Sequence, residues 1–200
     1  MADDRKRTGW ILAVASFLMF SPLAMVLLGY NIPMFQNLGF ARDAIAPLTT
    51  WMLAIIAAIG YVVYTFRVIP FVASMQREIS LFKLLGIVSA VVGGIVEEAI
   101  FRRWLMDSLM HGGVGPAVQI VSSGVVFGLA HAAWLLAKRE FKFALPAMFS
   151  TAVLGTLLAA IYLLGGRNLG PCIFAHVLIN IVIEPWLLLS SVSGKWKTVQ

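Results

Sequence analysis

The sequence predicts an all-α fold, a polytopic membrane helix bundle of about six transmembrane helices with both termini cytoplasmic. Three observations point there. Hydrophobic residues fill 60% of the 200 positions and charged ones only 12%, about half the charged share of soluble domains. The apolar residues fall in continuous runs close to the roughly 20 residues that cross a bilayer as a helix. The basic residues also sort by loop. Arg5, Lys6, Arg7, Arg67, Arg77, Lys83, Lys138, Arg139, Lys142, Lys195 and Lys197 fall on one side, eleven of the fifteen Lys and Arg. Arg42, Arg102, Arg103 and Arg167 fall on the other side or in the far half of a helix. Such an excess marks the cytoplasmic face. The net charge of +6 therefore reports topology, and no nucleic-acid partner is expected.

The spans are expected at about 10–30, 45–66, 84–110, 114–137, 143–164 and 169–190. In the first, Ser21-Pro22-Leu23-Ala24 is followed by more apolar residues, unlike a cleaved signal peptide, whose apolar core is shorter and ends in a polar mature start. The runs are also twice the length of barrel strands and do not alternate. Connections are short, which leaves a cytoplasmic tail at 1–9, a single membrane domain at 10–190 and a second cytoplasmic tail at 191–200. Cys172 is the only cysteine, so no intrachain disulfide or cysteine metal cluster is expected.

Ionisable groups at bilayer depth cost several kcal/mol and tend to mark function. The first two spans carry none. The fifth has only Ser150, Thr151 and Thr156, which can bond their own helix or a neighbour. The expensive groups gather in spans three, four and six: Glu97, Glu98, Arg102, Arg103, Asp107, His131, His176, Asn180 and Glu184. Glu97 and Glu98 lie about 100° apart on a helix, so they cannot easily share one role. Glu98 and Arg102, at i, i+4, can pair on one face, which leaves Glu97 to point elsewhere. Gly93, one turn before Glu97, is a place where a neighbouring backbone could approach. His176 and Asn180 share a face one turn apart. Counted at about 1.5 Å per residue from the nearest cytoplasmic anchor, Glu97 lies roughly 21 Å deep, His131 roughly 10 Å, and Asn180 and His176 roughly 15–21 Å. The four groups can therefore occupy one band of the bilayer.

A carboxylate in an apolar pocket can take a proton from water and return it. A histidine beside it can orient that water, and a second histidine with an asparagine can donate to a developing oxyanion. These are parts for hydrolysing a carbonyl compound such as an amide. No cofactor is required for that chemistry, but zinc is the main alternative: Glu97 or Glu98, His131 and His176 could supply three ligands, although no H-E-x-x-H motif is present. A thiol nucleophile at Cys172 is disfavoured because apolar surroundings suppress the thiolate. Glutamates that merely pair with Arg102 and Arg103 across helices, a small proton-coupled transporter and a non-catalytic binder are the competing readings. The transporter would show inverted repeats or paired broken helices, and the sequence has neither.

At these residues the sequence resembles a known family. Glu97-Glu98-x-x-x-Arg102, Phe127-x-x-x-His131 and His176-x-x-x-Asn180 look like the three motifs of the CPBP family of intramembrane proteases. The family includes type II CAAX prenyl endopeptidases and bacterial proteins linked to bacteriocin processing or immunity. The resemblance covers about 93–184, the CPBP-like core of the membrane domain. It implies a glutamate-type endopeptidase in which Glu97 and His131 activate the water and His176 and Asn180 bind the oxyanion. Glu98, Arg102 and Phe127 would support the site. It implies a peptide or protein substrate in or at the lipid bilayer. The same family has also been regarded as metal-dependent. One departure is Arg103, where members often carry Gly. A bacterial inner membrane is the expected location.

Overall fold

A computed structural model describes residues 2–36, 38–40, 45–137 and 141–196. Arg42, Lys138, Arg139 and Lys197, which entered the charge distribution above, lie outside the described residues. The regular structure of the described residues is all helical, without strands. Its helices are α1 (Ala2–Leu27), α2 (Leu48–Val68), α3 (Pro70–Ser74), α4 (Leu81–Glu98), α5 (Leu105–His111), α6 (Pro116–Ala137), α7 (Phe141–Leu164) and α8 (Gly170–Ser193). A six-residue π-helical stretch, Ala99–Trp104, joins α4 to α5. Six helices are long and apolar enough to cross a membrane: Ala2–Leu27, Leu48–Val68, Leu81–His111, Pro116–Ala133, Phe143–Leu164 and Gly170–Ser193. The six expected spans are therefore present, and the protein is a multi-pass membrane protein. The first begins earlier than its apolar run because Asp3 and Asp4 occupy the first turn of α1, where carboxylates favour the exposed N–H groups.

The chain forms two compact units. One comprises Met1–Phe35, Ala58–Glu97 and Ile173–Gln200, the other Gln36–Ala57 and Glu98–Cys172. In the first, α4 and α8 run antiparallel. Moving down α4, Glu97 meets His176, Gly94 meets Val177, Ser89 meets Glu184, Gly86 meets Pro185 and Phe82 meets Trp186. Small residues set this spacing. A Cβ on Gly94 would stand 2.7 Å from Val177 Cγ2, and one on Gly86 2.6 Å from Pro185 Cβ. Without a hydrophobic drive between helices in lipid, such close approach is how they gain dispersion contact. The close backbone approach expected at Gly93 thus occurs at Gly94 and Gly86, because the Gly93 position faces the carboxylate of Glu97. α3 is tied to α8 by Gln76 Nε2, which donates to Val182 O at 2.8 Å, and α1 to the turn after α3 by Arg5 on Glu78. Most of α1 is exposed, Phe17 and Leu18 among its apolar residues, as suits a helix facing acyl chains.

In the second unit α6 packs on α7 through Gly124 and Gly128, four residues apart. A Cβ on Gly128 would lie 2.5 Å from Met148 O, and one on Gly124 2.9 Å from Ala152 O. Thr151 and Thr156 bond back to Ala147 O and Ala152 O of their own helix, which leaves the helix face apolar. Asp107 lies 2.5 Å from Arg167 and accepts from Tyr162 Oη, while Arg167 also donates to Gln119 Oε1 at 2.6 Å. These charges satisfy one another at the ends of their helices. Arg167 can do so at φ 63°, in the left-handed region that closes the turn after α7. Arg103, the departure noted above, donates to Gln36 O.

Candidate active site

Two adjacent carboxylates at the end of α4 enter different surroundings because a helix turns about 100° per residue. Glu97 belongs to the first unit and Glu98 to the second.

In the first unit, Glu97 Oε2 lies 3.7 Å from His176 Nε2; the His176 side chain is 1% exposed and that of Glu97 20%. The helix geometry explains the meeting. Cα–Cβ bonds tilt toward a helix N-terminus, so Glu97 folds back over Gly93, its Oε1 3.6 Å from where a Gly93 Cβ would stand. A glycine one turn earlier leaves the room this requires. Asn180 is one turn beyond His176 and half-buried. One more turn along the same face, Glu184 accepts from Ser89 Oγ at 3.0 Å. Two stripes thus face each other across the seam: Ser89, Gly93 and Glu97 on α4; His176, Asn180 and Glu184 on α8. Glu184 was among the costly residues of the sequence but had no role there. Ser89 was missed, and its signal was its place eight residues before Glu97 on the same stripe.

In the second unit, Glu98 Oε2 is 3.1 Å from Arg102 Nε, and both side chains are fully buried. Arg102 Nη2 donates to Gly155 O at 3.2 Å. Its guanidinium lies 4.6 Å from the centre of the Phe127 ring, a cation–π contact of the kind that desolvation strengthens. Phe101 meets Phe127 edge-on at 5.1 Å. The π-helical stretch begins at Ala99, and Leu105 N–H closes it on Ile100 O. This wider turn, common at functional sites, was not legible in the hydropathy. Ser123 Oγ from α6 donates to Phe101 O at 3.0 Å within it.

Phe127 also carries His131. The rings are 4.2 Å apart, and His131 Nδ1 is 2.9 Å from Phe127 O. A carbonyl only accepts, so Nδ1 bears the proton in the neutral ring and Nε2 keeps the lone pair. His131 is exposed at the protein surface, so a basic nitrogen is presented rather than buried. Of the expected site residues, Glu97 is therefore brought to His176, with Asn180 one turn on. Glu98, Arg102, Phe127 and His131 form a connected chain of contacts in the other unit. Cys172 is buried, and its Sγ donates to Leu158 O at 3.3 Å, the environment of a structural thiol.

For metal, zinc bonds of about 2.1 Å put two donors of one ion roughly 3.4 Å apart. The Glu97–His176 pair is near that separation, so these two side chains fit as two ligands of such an ion.

The six apolar helices are those of a multi-pass membrane protein, in which one carboxylate lies near a histidine in the first unit and another pairs with an arginine in the second. Residues 79–182 match the family model for Rce1-like type II CAAX prenyl endopeptidases, more than half the chain, and the protein belongs to that family. It is a protease family, which makes peptide hydrolysis at a membrane the relevant chemistry. Neither a curated protein nor a solved structure matches the chain.

Proposed function

We propose that the protein is an intramembrane endopeptidase of the glutamate type, hydrolysing a peptide bond of a membrane-associated protein or peptide. The observation that carries this reading is the Glu97 carboxylate held 3.7 Å from His176 in a chain of this protease family. Glu97 and His131 activate the water. The lone pair on His131 Nε2 follows from its Nδ1 contact with Phe127 O, and its partnership with Glu97 rests on the family motifs. The proton leaves water for Glu97 as the new C–O bond forms and passes to the leaving nitrogen as the C–N bond breaks. His176 and Asn180 donate to the oxyanion, a contribution of about 3–4 kcal/mol where such donors are preorganised. Glu98, Arg102 and Phe127 hold the helices that carry these groups. The membrane domain spans 10–190, with tails at 1–9 and 191–200 in the cytoplasm of a bacterial cell.

A zinc-dependent version of the same hydrolysis is favoured by one observation, the near-ideal spacing of the Glu97 and His176 donors. Zinc would be held by Glu97, His131 and His176 and would supply Lewis acidity and an acidified water.

The test is cleavage of a membrane-peptide library, read by mass spectrometry, by wild type and Glu97→Ala, both verified as folded, with and without a strong chelator. Cleavage lost in Glu97→Ala and kept under chelation is the expected result. Cleavage abolished by the chelator and restored by zinc would replace the glutamate mechanism with the metal one. A wild type that cleaves no peptide would favour a non-catalytic, peptide-binding member.

A further inference from the structure

In the second unit α2 begins at Leu48, α7 ends at Leu164 and α8 begins at Gly170. A cavity of about 350 Å³ opens among the segments that flank these three ends, with Gly39, Ile45, Pro47, Asn168, Arg103 and Arg167 in its lining. The three helices are membrane spans, and hydrocarbon gives way to headgroups where spans end. The cavity therefore lies at headgroup depth. Its walls are fixed by local bonding. Asn168 Oδ1 accepts from Gly170 N–H at 2.8 Å, which caps the start of α8. Gly39, at φ 87°, packs on that cap so closely that a Cβ would stand 2.7 Å from Gly170 N.

The charge at the cavity is unbalanced. Arg167 pairs with Asp107 and donates to Gln119 Oε1, and Arg103 donates to Gln36 O. Among the described residues of this unit the carboxylates are Asp107 and Glu98, and Arg102 holds Glu98. Two guanidiniums against one carboxylate leave a single net positive charge among the described residues there. Both arginines are half-buried, a setting in which charge gains from an anion that replaces lost water. Guanidinium is also the planar donor fork that suits phosphate oxygens. The rim is apolar by contrast: Phe40, Ile45 and Leu48 are exposed beside it. A positive cavity bordered by exposed apolar side chains matches a ligand with an anionic head and a hydrocarbon body, whereas a free anion would use only the cavity.

We propose that this cavity binds the phosphodiester headgroup of an anionic phospholipid, with Arg103 and Arg167 holding the phosphate. A phosphodiester carries one negative charge, which matches the surplus. The site is separate from the Glu97–His176 pair, which belongs to the other unit, and does not depend on the catalytic reading of that pair.

The test is site-directed by the lipid itself. Detergent-solubilised protein is irradiated with phosphatidylglycerol that carries a photoreactive diazirine on its headgroup, and labelled peptides are located by mass spectrometry. The expected result is label within 45–47 and 165–168 that excess unlabelled phosphatidylglycerol displaces and phosphate-free diglucosyl diacylglycerol does not. Arg103→Gln removes the surplus charge and should lower that label about tenfold, the scale of a lost charged hydrogen bond. Asp107→Asn adds to the surplus and should raise it. Label on the basic segment Arg5-Lys6-Arg7 is the internal reference that neither change should move. A cavity label unchanged in Arg103→Gln, or displaced equally by the glycolipid, would overturn the proposal. Should Arg103→Gln fail to fold, Asp107→Asn decides, and the absence of a rise overturns it. Equal displacement by glycerophosphoglycerol, the same headgroup without acyl chains, would overturn the lipid in favour of a soluble phosphodiester. Displacement by a peptide with a free C-terminal carboxylate, but not by its amide, would overturn it in favour of a peptide terminus.

Discussion

Glu97 and Glu98 are neighbours in the chain, yet their surroundings differ in almost every physical respect. Glu98 is fully buried and compensated: Arg102 Nε is 3.1 Å away, and the guanidinium is held in turn by Gly155 O and the face of Phe127. Glu97 keeps a fifth of its side chain exposed, and its histidine neighbour is 3.7 Å away, beyond a hydrogen bond. The first arrangement has no slack and no access, which suits a strut. The second has access, which suits the proton exchange with water proposed for Glu97. One helical step separates the two surroundings, because that step turns the second carboxylate onto another face of the helix.

The comparison breaks most readily at Glu97. Glu97→Gln should reduce peptide cleavage about 10²–10⁴-fold, the range of a general base, while thermal unfolding stays near wild type because no buried charge is stranded. A large fall in melting temperature would assign Glu97 to packing instead. Arg102→Ala should do the reverse in emphasis. It strands the Glu98 charge and should destabilise the bundle by about 3–5 kcal/mol, with activity falling in step. Replacing both partners by apolar residues should recover much of that stability, and unchanged melting in Arg102→Ala would count against the strut.

A smaller effect tests the α4–α8 seam. Gly94→Ala places a methyl 2.7 Å from Val177 Cγ2 and should cost about 1–3 kcal/mol by overpacking, with kcat falling as Glu97 and His176 separate. The smallest effect is at the α1 contact. Arg5 donates to Glu78 at 2.5 and 2.7 Å, and this hydrogen bonding holds the Glu78 carboxyl below its ordinary range. A lowered folded pKa stabilises above the unfolded value, and the stabilisation is lost as pH falls through the folded one. Arg5→Ala should therefore cost under about 1 kcal/mol at neutral pH, the scale of a part-exposed pair, and nothing once Glu78 is protonated. Denaturation midpoints followed from neutral to acid pH, at low and high salt, would show this.

Much of the site could be anticipated from spacing. The pairing of Glu98 with Arg102 followed from four residues of separation, and the shared face of His176 and Asn180 from the same period. The close contact at Gly94 rather than Gly93 did not follow, because adjacent glycines look alike until the facing helix chooses one. Ser89 looked like an ordinary small residue until α8 brought Glu184 against it.

The sequence by itself determined the membrane as solvent, the number of spans and the helices that carry charge at depth. Those properties depend on transfer free energy and local periodicity, which act within one segment. Tertiary structure decided the rest: which glycine lets α4 approach α8, that His176 meets Glu97, and that Ser89 and Glu184 line a seam. Each of these is a contact between segments far apart in the chain, and its energy exists only once both helices are in place.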